Sequence, residues 1–171
     1  MIKLLWMKLN SEAAIPTKTN ENIGYDIYGI YEEGIDLEIP PHCTKMIPTG
    51  LAVAICYDDG TPNFNYALIA KDRGSTGSIG LHTYCGVIDA GYRGEIFIAI
   101  HNSNEYPVYF TDKLNKAYVT DDALFYPKTK AIAQLILVKD IKAESVEVDE
   151  ATFAALCNTK RGTGALGSSG K

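Results

Sequence analysis

Hydrophobic residues in this chain fall in short runs, and turn-forming residues separate one run from the next. The runs are rich in β-branched and aromatic side chains, while Pro, Gly, Asn and Asp occupy the gaps, a pattern typical of β-strands. The predicted strands are 2–9, 35–39, 45–47, 51–55, 66–71, 95–101, 108–110, 131–138 and 145–148. Many short strands with turn signals between them favour an all-β sandwich or jelly roll.

Three segments add detail to this pattern. Residues 95–101 are apolar almost throughout, so we expect this strand to be central and covered on both sides. Residues 149–157 have a helical pattern, with Asp149 as N-cap and alanines as helix formers. From residue 158 onward Gly, Ser and Thr dominate, which indicates a flexible arm. The sequence therefore predicts a single β-domain over 1–157 followed by an arm over 158–171.

Composition is that of one globular domain. The chain has 171 residues, of which 46% are hydrophobic, enough to bury the core of one domain. No run approaches the length of a membrane span, and Lys3 and Lys8 interrupt the apolar N-terminus, which favours a strand over a signal peptide. The four cysteines contain no C-x-x-C pair, so we expect free thiols and a cytoplasmic location.

Residues 86–95 (GVIDAGYRGE) carry the most informative local pattern. A lone carboxylate, Asp89, ends an apolar run and enters a turn that a tyrosine and an arginine share. The glycines of this segment permit a tight turn and close backbone approach. The pattern predicts a β-hairpin pocket with one acid at its rim, and the alternative is an ordinary hairpin with an exposed Asp.

Every arginine of the chain lies in a Gly-rich segment. These are Arg73 in 71–77, Arg93 in 86–95 and Arg161 in 161–170. The net charge of -5 does not suggest direct nucleic-acid binding, and a polyanionic ligand would need a locally positive site. Because the arginine fork suits phosphate oxygens, the arginines and Lys71 could form that site.

Taken in order, five segments resemble the signature motifs of the trimeric dUTP pyrophosphatase (dUTPase) family. The segments are 24–28 (GYDIY), 73–75 (RGS), 86–94 (GVIDAGYRG), 132–135 (IAQL) and 161–170 (RGTGALGSSG). The likeness spans 20–170, and the third segment is nearly the family's own wording. The resemblance implies a distorted jelly roll of the β-clip type that hydrolyses dUTP to dUMP and pyrophosphate, which limits uracil incorporation into DNA.

Hydrolysis at the α-phosphorus requires an activated water, charge neutralisation and a held phosphate chain. A carboxylate within reach of the water can act as general base, typically worth about 10²–10⁴-fold, and Asp89 is the candidate. The resemblance implies that Asp26 orients waters around a Mg²⁺ that the three phosphates chelate. Mg²⁺ keeps much of its water shell, so no dense carboxylate cluster is required.

Phosphate binding is expected in the 71–77 loop. Arg73, Ser75 and backbone N–H groups from Gly74 onward would grip the phosphates, and Gln134 would add a neutral contact. Positioning and electrostatics would then supply most of the acceleration.

Substrate selection is assigned to the hairpin. Backbone groups around 82–86, with Gly86 and Val87 among the substrate-binding residues, would read the uracil edge and exclude the thymine methyl group. Tyr92, packed beneath the sugar, would exclude a 2′-hydroxyl. The alternative role for Tyr92 is a core-lining aromatic.

The C-terminal arm is interpreted as a lid. Gly- and Ser-rich tails are usually linkers, but the resemblance implies that this arm closes over the nucleotide. Arg161 would meet the terminal phosphate, and glycines such as Gly167 would lie close to the substrate. Leu166 stands where the family commonly has an aromatic that stacks on uracil, so it can cover the base only by apolar contact.

Two further departures from the family pattern concern the phosphate site. Gly74 stands where the family usually has Ser, so the contribution of Ser75 to the phosphate bridge is an open question. Lys130 and Ala131 stand where the family carries an acid–arginine pair. A structural ion pair is therefore absent or replaced elsewhere.

The resemblance also implies a homotrimer whose sites draw motifs from different subunits. Residues 104–128, rich in Tyr and Phe, lengthen the connection between the third and fourth motifs. We expect an extra hairpin there. The alternative is a patch that binds a regulatory protein, because some phage-type dUTPases carry inserts at this place.

A different activity and a metal site are two further alternatives. The related dCTP deaminases share the fold but need a catalytic glutamate, for which Glu95 is the nearest candidate. A zinc site from His42, His82, His101 and the cysteines fits no ligand spacing that is typical of zinc. We expect these histidines to be hydrogen-bonded structural residues.

Overall fold

The computed structural model describes residues 1–84, 86–156, 159 and 162. Strands dominate these residues, and the all-β jelly-roll prediction is confirmed. The strands are β1 (Ile2–Lys8), β2 (Tyr25–Ile27), β3 (Leu37–Ile39), β4 (Thr44–Pro48), β5 (Leu51–Tyr57), β6 (Tyr66–Lys71), β7 (Leu81–Tyr84), β8 (Val87–Ile88), β9 (Phe97–Asn102), β10 (Val108–Thr111), β11 (Tyr118–Val119), β12 (Leu124–Pro127) and β13 (Ala133–Lys139). The helices are α1 (Gly74–Gly77) and α2 (Glu150–Leu156).

Within the described residues the strands form four small sheets. Their strand orders are β1-β5, β11-β12-β10-β3, β2-β13-β6-β8 and β4-β9-β7. Only β10 and β12 pair in parallel among these strands; every other pair is antiparallel. The sheet β2-β13-β6-β8 positions the candidate site, because segments of four of the five motifs lie on its strands or directly beside them.

Apolar side chains from all four sheets meet in one core. Its largest fully buried members are Tyr126, Phe110, Ile27, Ile39, Ile47, Leu51, Leu68, Leu81, Ile96, Ile98, Ile100 and Leu124. Strand β9 lies between β4 and β7, and Ile98, Ala99 and Ile100 are all buried. The prediction of a central strand covered on both sides is therefore confirmed for these three residues. Phe97, at the start of β9, is 41% exposed.

Residues 104–128 contribute to this core instead of standing outside it. β11 and β12 form an antiparallel pair, but β12 also lies parallel to β10 and buries Leu124 and Tyr126. Two of the aromatic side chains that suggested a binding patch, Phe110 and Tyr126, face the interior. The limits of an extra segment at 104–128 stay a prediction.

A buried lysine ties the end of β12 to the rest of the sheet. The side chain of Lys128 is 5% exposed, and its Nζ donates to Asp112 Oδ2 at 2.8 Å and to the Glu32 carbonyl at 2.9 Å. A buried ammonium group needs such partners. The contact fixes the turn that leads into β13.

One predicted strand is wrong. Residues 145–148 lie in no strand, and Val146 and Val148 are 66% and 45% exposed. The alternating pattern there is genuine, but a strand also requires a neighbour, and no described strand pairs with this segment. The short strands β2, β7, β8, β11 and β12 were not among the predicted strands, although hairpins were expected in 86–95 and 104–128.

Two compact units make up the chain, Met1–Ile141 and Lys142–Lys171. In the second unit the predicted N-cap is confirmed, since Asp149 Oδ1 accepts the Thr152 N–H at 2.8 Å and the Asp149 carbonyl accepts the Phe153 N–H at 3.0 Å. Most of the predicted arm over 158–171 lies outside the described residues, and its boundary stays a prediction.

Candidate active site

Three of the motif segments meet in one cavity of about 460 Å³, here called the Asp26 cleft. It is lined by Glu21, Asn22, Ile23, Gly24, Asp26, Arg73, Gly74, Ser75 and Gln134. The sheet explains the convergence, because β13 lies between β2 and β6 and places Gln134 level with Asp26 on one side and Lys71 on the other. Residues far apart in sequence thus share one wall.

Asp26 and Arg73 form a bidentate ion pair in this cleft. Arg73 Nε donates to Asp26 Oδ1 at 2.9 Å, and Arg73 Nη2 donates to Oδ2 at 3.1 Å. The side chains are 27% (Arg73) and 36% (Asp26) exposed, so the pair is half-buried. Parallel charge-assisted hydrogen bonds fix the orientation of both groups.

The sequence analysis assigned Asp26 and Arg73 separate roles and did not anticipate this pair. It did note that the acid–arginine pair common before the fourth motif is missing at Lys130 and Ala131. Arg73 Nη1 donates to the Ala131 carbonyl at 3.3 Å and to Ser75 Oγ at 3.4 Å. An ion pair is therefore present in this region, between the first and second motifs.

The loop after Arg73 is a single helical turn, α1. Thr76 Oγ1 accepts the Arg73 N–H at 3.0 Å and donates to the Arg73 carbonyl at 3.1 Å, and Thr76 is buried. Ser75 is exposed at the cleft. A Cβ added at Gly74 would meet open space, so Gly74 leaves the loop accessible.

Asp72 connects this loop to β7. Its carboxylate accepts the Thr83 N–H at 2.5 Å and lies 3.2 Å from His82 Nδ1, while its carbonyl accepts from Gln134 Nε2 at 2.7 Å. Partial burial alone would raise the pKa of Asp72, but the contacts with Thr83 and His82 lower it below its ordinary value. Sequence reasoning missed Asp72, because nothing in its local pattern reveals a partner ten residues away.

Asp89 lies in a second cavity of about 200 Å³, here called the Asp89 cleft. It is lined by Met46, Val87, Ile88, Asp89, Tyr92, Glu95, Ile96 and Phe97. The Tyr92 N–H donates to the Asp89 carbonyl at 3.0 Å and closes the predicted turn, which leaves the Asp89 side chain exposed. Gly86 lines neither cleft; a Cβ there would stand 2.5 Å from the Ala70 carbonyl oxygen, so the close approach requires glycine.

Tyr92 is a surface residue of this turn and is 46% exposed. Its hydroxyl donates to the Glu95 carbonyl at 2.9 Å, so the ring is held at a fixed place beside Gly94. The alternative of a core-lining aromatic is therefore wrong. Arg93 Nη1 supports the turn by donating to the carbonyls of Ala90 and Tyr92, both at 2.7 Å.

Glu95 has a structural contact in the Asp89 cleft. Its Oε1 accepts the Gly50 N–H at 2.8 Å, which ties the turn to the start of β5. Phe97 also lines the cleft, although the sequence analysis assigned it to a covered strand.

The two clefts are distinct. Among the described residues they share no lining residue. Asp26 lies on β2 and Asp89 follows β8, and these are the two edge strands of the sheet β2-β13-β6-β8. Three strand spacings separate the edges, roughly 14 Å.

Arg161, Leu166 and Gly167 lie outside the described residues.

Two features are absent from the described residues. No helix there is both long and apolar enough to cross a membrane. No three His, Cys, Asp or Glu side chains in the same part of the chain are grouped so that they could hold a metal ion.

Comparison with known proteins shows which family this chain resembles. The family model for dUTPase matches residues 10–113. Two similar proteins, both deoxyuridine 5′-triphosphate nucleotidohydrolases, come from Nautilia profundicola (34% identical, covering 99% of this chain and 100% of the relative) and Arabidopsis thaliana (31%, covering 95% and 80%).

The fold is also that of solved dUTPase structures. The dUTPase of Staphylococcus bacteriophage 80alpha with dUpNHpp superposes with a TM-score of 0.71 at 24% identity and covers 99% of both chains. The native dUTPase of EIAV superposes with a TM-score of 0.59 at 24% identity and covers 86% of this chain and 98% of its own. The family match and the relatives of 34% and 31% identity show that this chain belongs to the dUTPase family.

Proposed function

We propose that the chain hydrolyses dUTP to dUMP and pyrophosphate by attack of water at the α-phosphorus. The observation that carries the proposal is the convergence of Asp26, Arg73, Ser75 and Gln134 in one cleft, with Asp89 and Tyr92 in a second. One cleft offers a cation and hydroxyl donors for phosphate, and the other offers a base and an aromatic wall. Family membership supplies the substrate class.

The Asp26 cleft suits the triphosphate. The Arg73 guanidinium is held by Asp26, Ser75 and Ala131, so its charge lies at a fixed place and needs no reorganisation when the phosphates bind. Ser75 Oγ is exposed beside it and can donate to a phosphate oxygen. Gln134 is held by Asp72 and presents its amide to the same cavity.

Mg²⁺ is the cofactor we propose for this cleft, and the donors present fit it. Both oxygens of Asp26 accept from Arg73, yet each carboxylate oxygen has a second lone pair, and the side chain is 36% exposed. Asp26 can therefore accept hydrogen bonds from water on a metal that the phosphates hold. The ion would neutralise phosphate charge, and Asp26 would orient the complex.

Asp89 is the proposed general base. The turn fixes its backbone through the Tyr92 N–H, and its exposed carboxylate can take a proton from the attacking water. Tyr92, whose hydroxyl is engaged by the Glu95 carbonyl, presents an apolar ring beside the sugar and offers no partner to a 2′-hydroxyl. A ribonucleotide would then bury that hydroxyl without a hydrogen bond, which is unfavourable.

We propose a homotrimer in which the Asp26 cleft of one copy and the Asp89 cleft of another form one site. The separation of the two clefts across the sheet supports this arrangement. Exposed apolar side chains are available for contacts between copies. Examples are Leu5 (51%), Met7 (55%) and Met46 (54%).

Pyrophosphate release with Mg²⁺ tests the activity. The purified protein should release pyrophosphate from dUTP and much less from dCTP, dTTP or UTP. Asp89→Asn should lower kcat by about 10²–10⁴-fold, while the nonhydrolysable analogue dUpNHpp still binds. A variant as fast as the parent would remove Asp89 from the mechanism, and ammonia released from dCTP would establish the deaminase alternative.

A regulatory role is the second candidate. Tyr118 and Val119 on β11 are 59% and 47% exposed, within the segment 104–128. Because Leu124 and Tyr126 of the same segment are buried in the core, deletion of the whole segment would disrupt the fold. The double substitution Tyr118→Ser, Val119→Thr tests a partner role: partner binding should be lost while dUTP turnover is retained.

We also propose a cytoplasmic location. Cys43 and Cys56, the two cysteines that the structure describes, are both free thiols. This is the ordinary state in a reducing compartment.

A further inference from the structure

The carbonyl of Ala131 receives two hydrogen-bond donors. Tyr126 Oη donates to it at 2.9 Å from the interior, and Arg73 Nη1 donates to it at 3.3 Å from the Asp26 cleft. Tyr126 is 1% exposed and Ala131 is 3% exposed. A carbonyl oxygen has two lone pairs, so both contacts can be made at once.

The peptide that carries this carbonyl is fixed at its other end as well. The Ile132 N–H, which belongs to the same planar unit, donates to the Ile27 carbonyl at 2.9 Å. Ile27 directly follows Asp26. The peptide between Ala131 and Ile132 therefore links the strand that carries Asp26 to the guanidinium that pairs with Asp26.

Tyr126 is suited to hold this peptide. Burial raises the pKa of its phenol, although the nearby Arg73 guanidinium opposes the shift, so the hydroxyl stays protonated and donates. Its ring packs on Phe110, with centroids 5.4 Å apart, and cannot move easily. Without the hydroxyl, one end of the peptide loses its buried restraint.

We propose that Tyr126 is a positioning residue for the triphosphate that acts on Arg73, with the shared Ala131 carbonyl as one route. The proposal rests on the proposed function, since it assumes that the Asp26 cleft binds phosphates. It also gives residues 104–128 a role in substrate binding, because Tyr126 belongs to that segment.

Tyr126→Phe removes only the hydroxyl, and Tyr31→Phe is a matched control. The Tyr31 hydroxyl is also buried, accepts or donates no hydrogen bond among the described residues, and its ring stacks on the same Phe110 at 5.7 Å. We expect Tyr126→Phe to raise the Kd of dUpNHpp by about 3–10-fold, the range of one ordinary hydrogen bond. The Kd of dUMP, which lacks the β- and γ-phosphates, should stay within about twofold, and Tyr31→Phe should change neither Kd.

An Arg73→Lys background tests the route of the effect. If Tyr126 acts through Arg73, adding Tyr126→Phe to Arg73→Lys should change the Kd of dUpNHpp by less than about twofold. A full additional loss there would overturn the proposal. Unchanged dUpNHpp binding in Tyr126→Phe, or equal weakening of dUMP and dUpNHpp, would overturn it too. Failure of the proposed function is distinguishable, because the parent protein would then release no pyrophosphate from dUTP.

Discussion

Gly24 offers a sharp test of how the Asp26 cleft is built. Its backbone does not adopt a positive φ, so alanine introduces no backbone strain there. A Cβ would nevertheless collide with Gln134 Oε1, and it would lie 2.9 Å from Gln134 Cδ and 3.0 Å from Gln134 Cβ. Gly24→Ala therefore forces the Gln134 side chain to turn away.

The magnitude follows from what Gln134 loses. Its Nε2 donates to the Asp72 carbonyl at 2.7 Å, and a typical hydrogen bond contributes about 1 kcal/mol net. A displaced rotamer adds about 1 kcal/mol. The free energy of unfolding should fall by about 2 kcal/mol, which lowers Tm by about 4–8 °C for a chain of this size.

Calorimetry and dUTP kinetics on the same preparations measure the effect. Gly24→Ala should lower both Tm and kcat/KM, because Gln134 leaves the cleft. In a Gln134→Ala background the two shortest contacts are gone, so the same methyl group should have a much smaller effect. Equal losses in both backgrounds, or a Gly24→Ala protein indistinguishable from the parent, would refute the reasoning.

Three further predictions concern selection, closure and acid stability. Tyr92→Ala should let UTP compete with dUTP, and an unchanged ratio of UTP to dUTP turnover would reject the sugar-filter role. Removal of 161–171 should cut turnover sharply while the Tm of the remaining chain is retained; full turnover would reject the lid. The pKa of Asp72 in the folded protein lies below its ordinary 3.8, so the carboxylate stabilises the fold above pH 3.8. This stabilisation is lost as the pH falls through the pKa of the folded state. Asp72→Asn should therefore be less stable than the parent at pH 6 and converge with it in acid, as measured by urea unfolding across pH.

The sequence predicted the longer strands, because their own residues carry the β-branched and apolar pattern. The limits of β6 were predicted without error, and β5, β9 and β13 were placed within a few residues. The short strands β2, β7 and β8 were missed because they depend on pairing with β13, β9 and β6. Residues 145–148 show the converse, since they have a strand pattern and no described partner.

The sequence predicted which residues form the candidate site but not the contacts between them. The motif resemblance indicated Asp26, Arg73 and Gln134, and the sheet order explains why they meet. The ion pair between Asp26 and Arg73 joins residues 47 positions apart, and no local rule reveals it. Tyr126 gave a misleading signal, because its aromatic character suggested a surface patch while its hydroxyl lies behind the cleft.

The arrangement of the sheet bears directly on how the reaction can proceed. Asp26 lies on one edge strand, β2, while Gln134 lies on β13 and Arg73 follows β6; the proposed base follows the other edge strand, β8. A general base must lie within hydrogen-bond reach of its water, and the two edge strands are separated by three strand spacings, roughly 14 Å. This separation favours a site in which Asp26 and Asp89 come from different copies. If a second copy supplies the base, as we propose, mixing an inactive Asp26→Ala protein with an inactive Asp89→Asn protein should restore activity after subunit exchange. Two variants that remain inactive together, although exchange is verified by native mass spectrometry, would exclude shared sites.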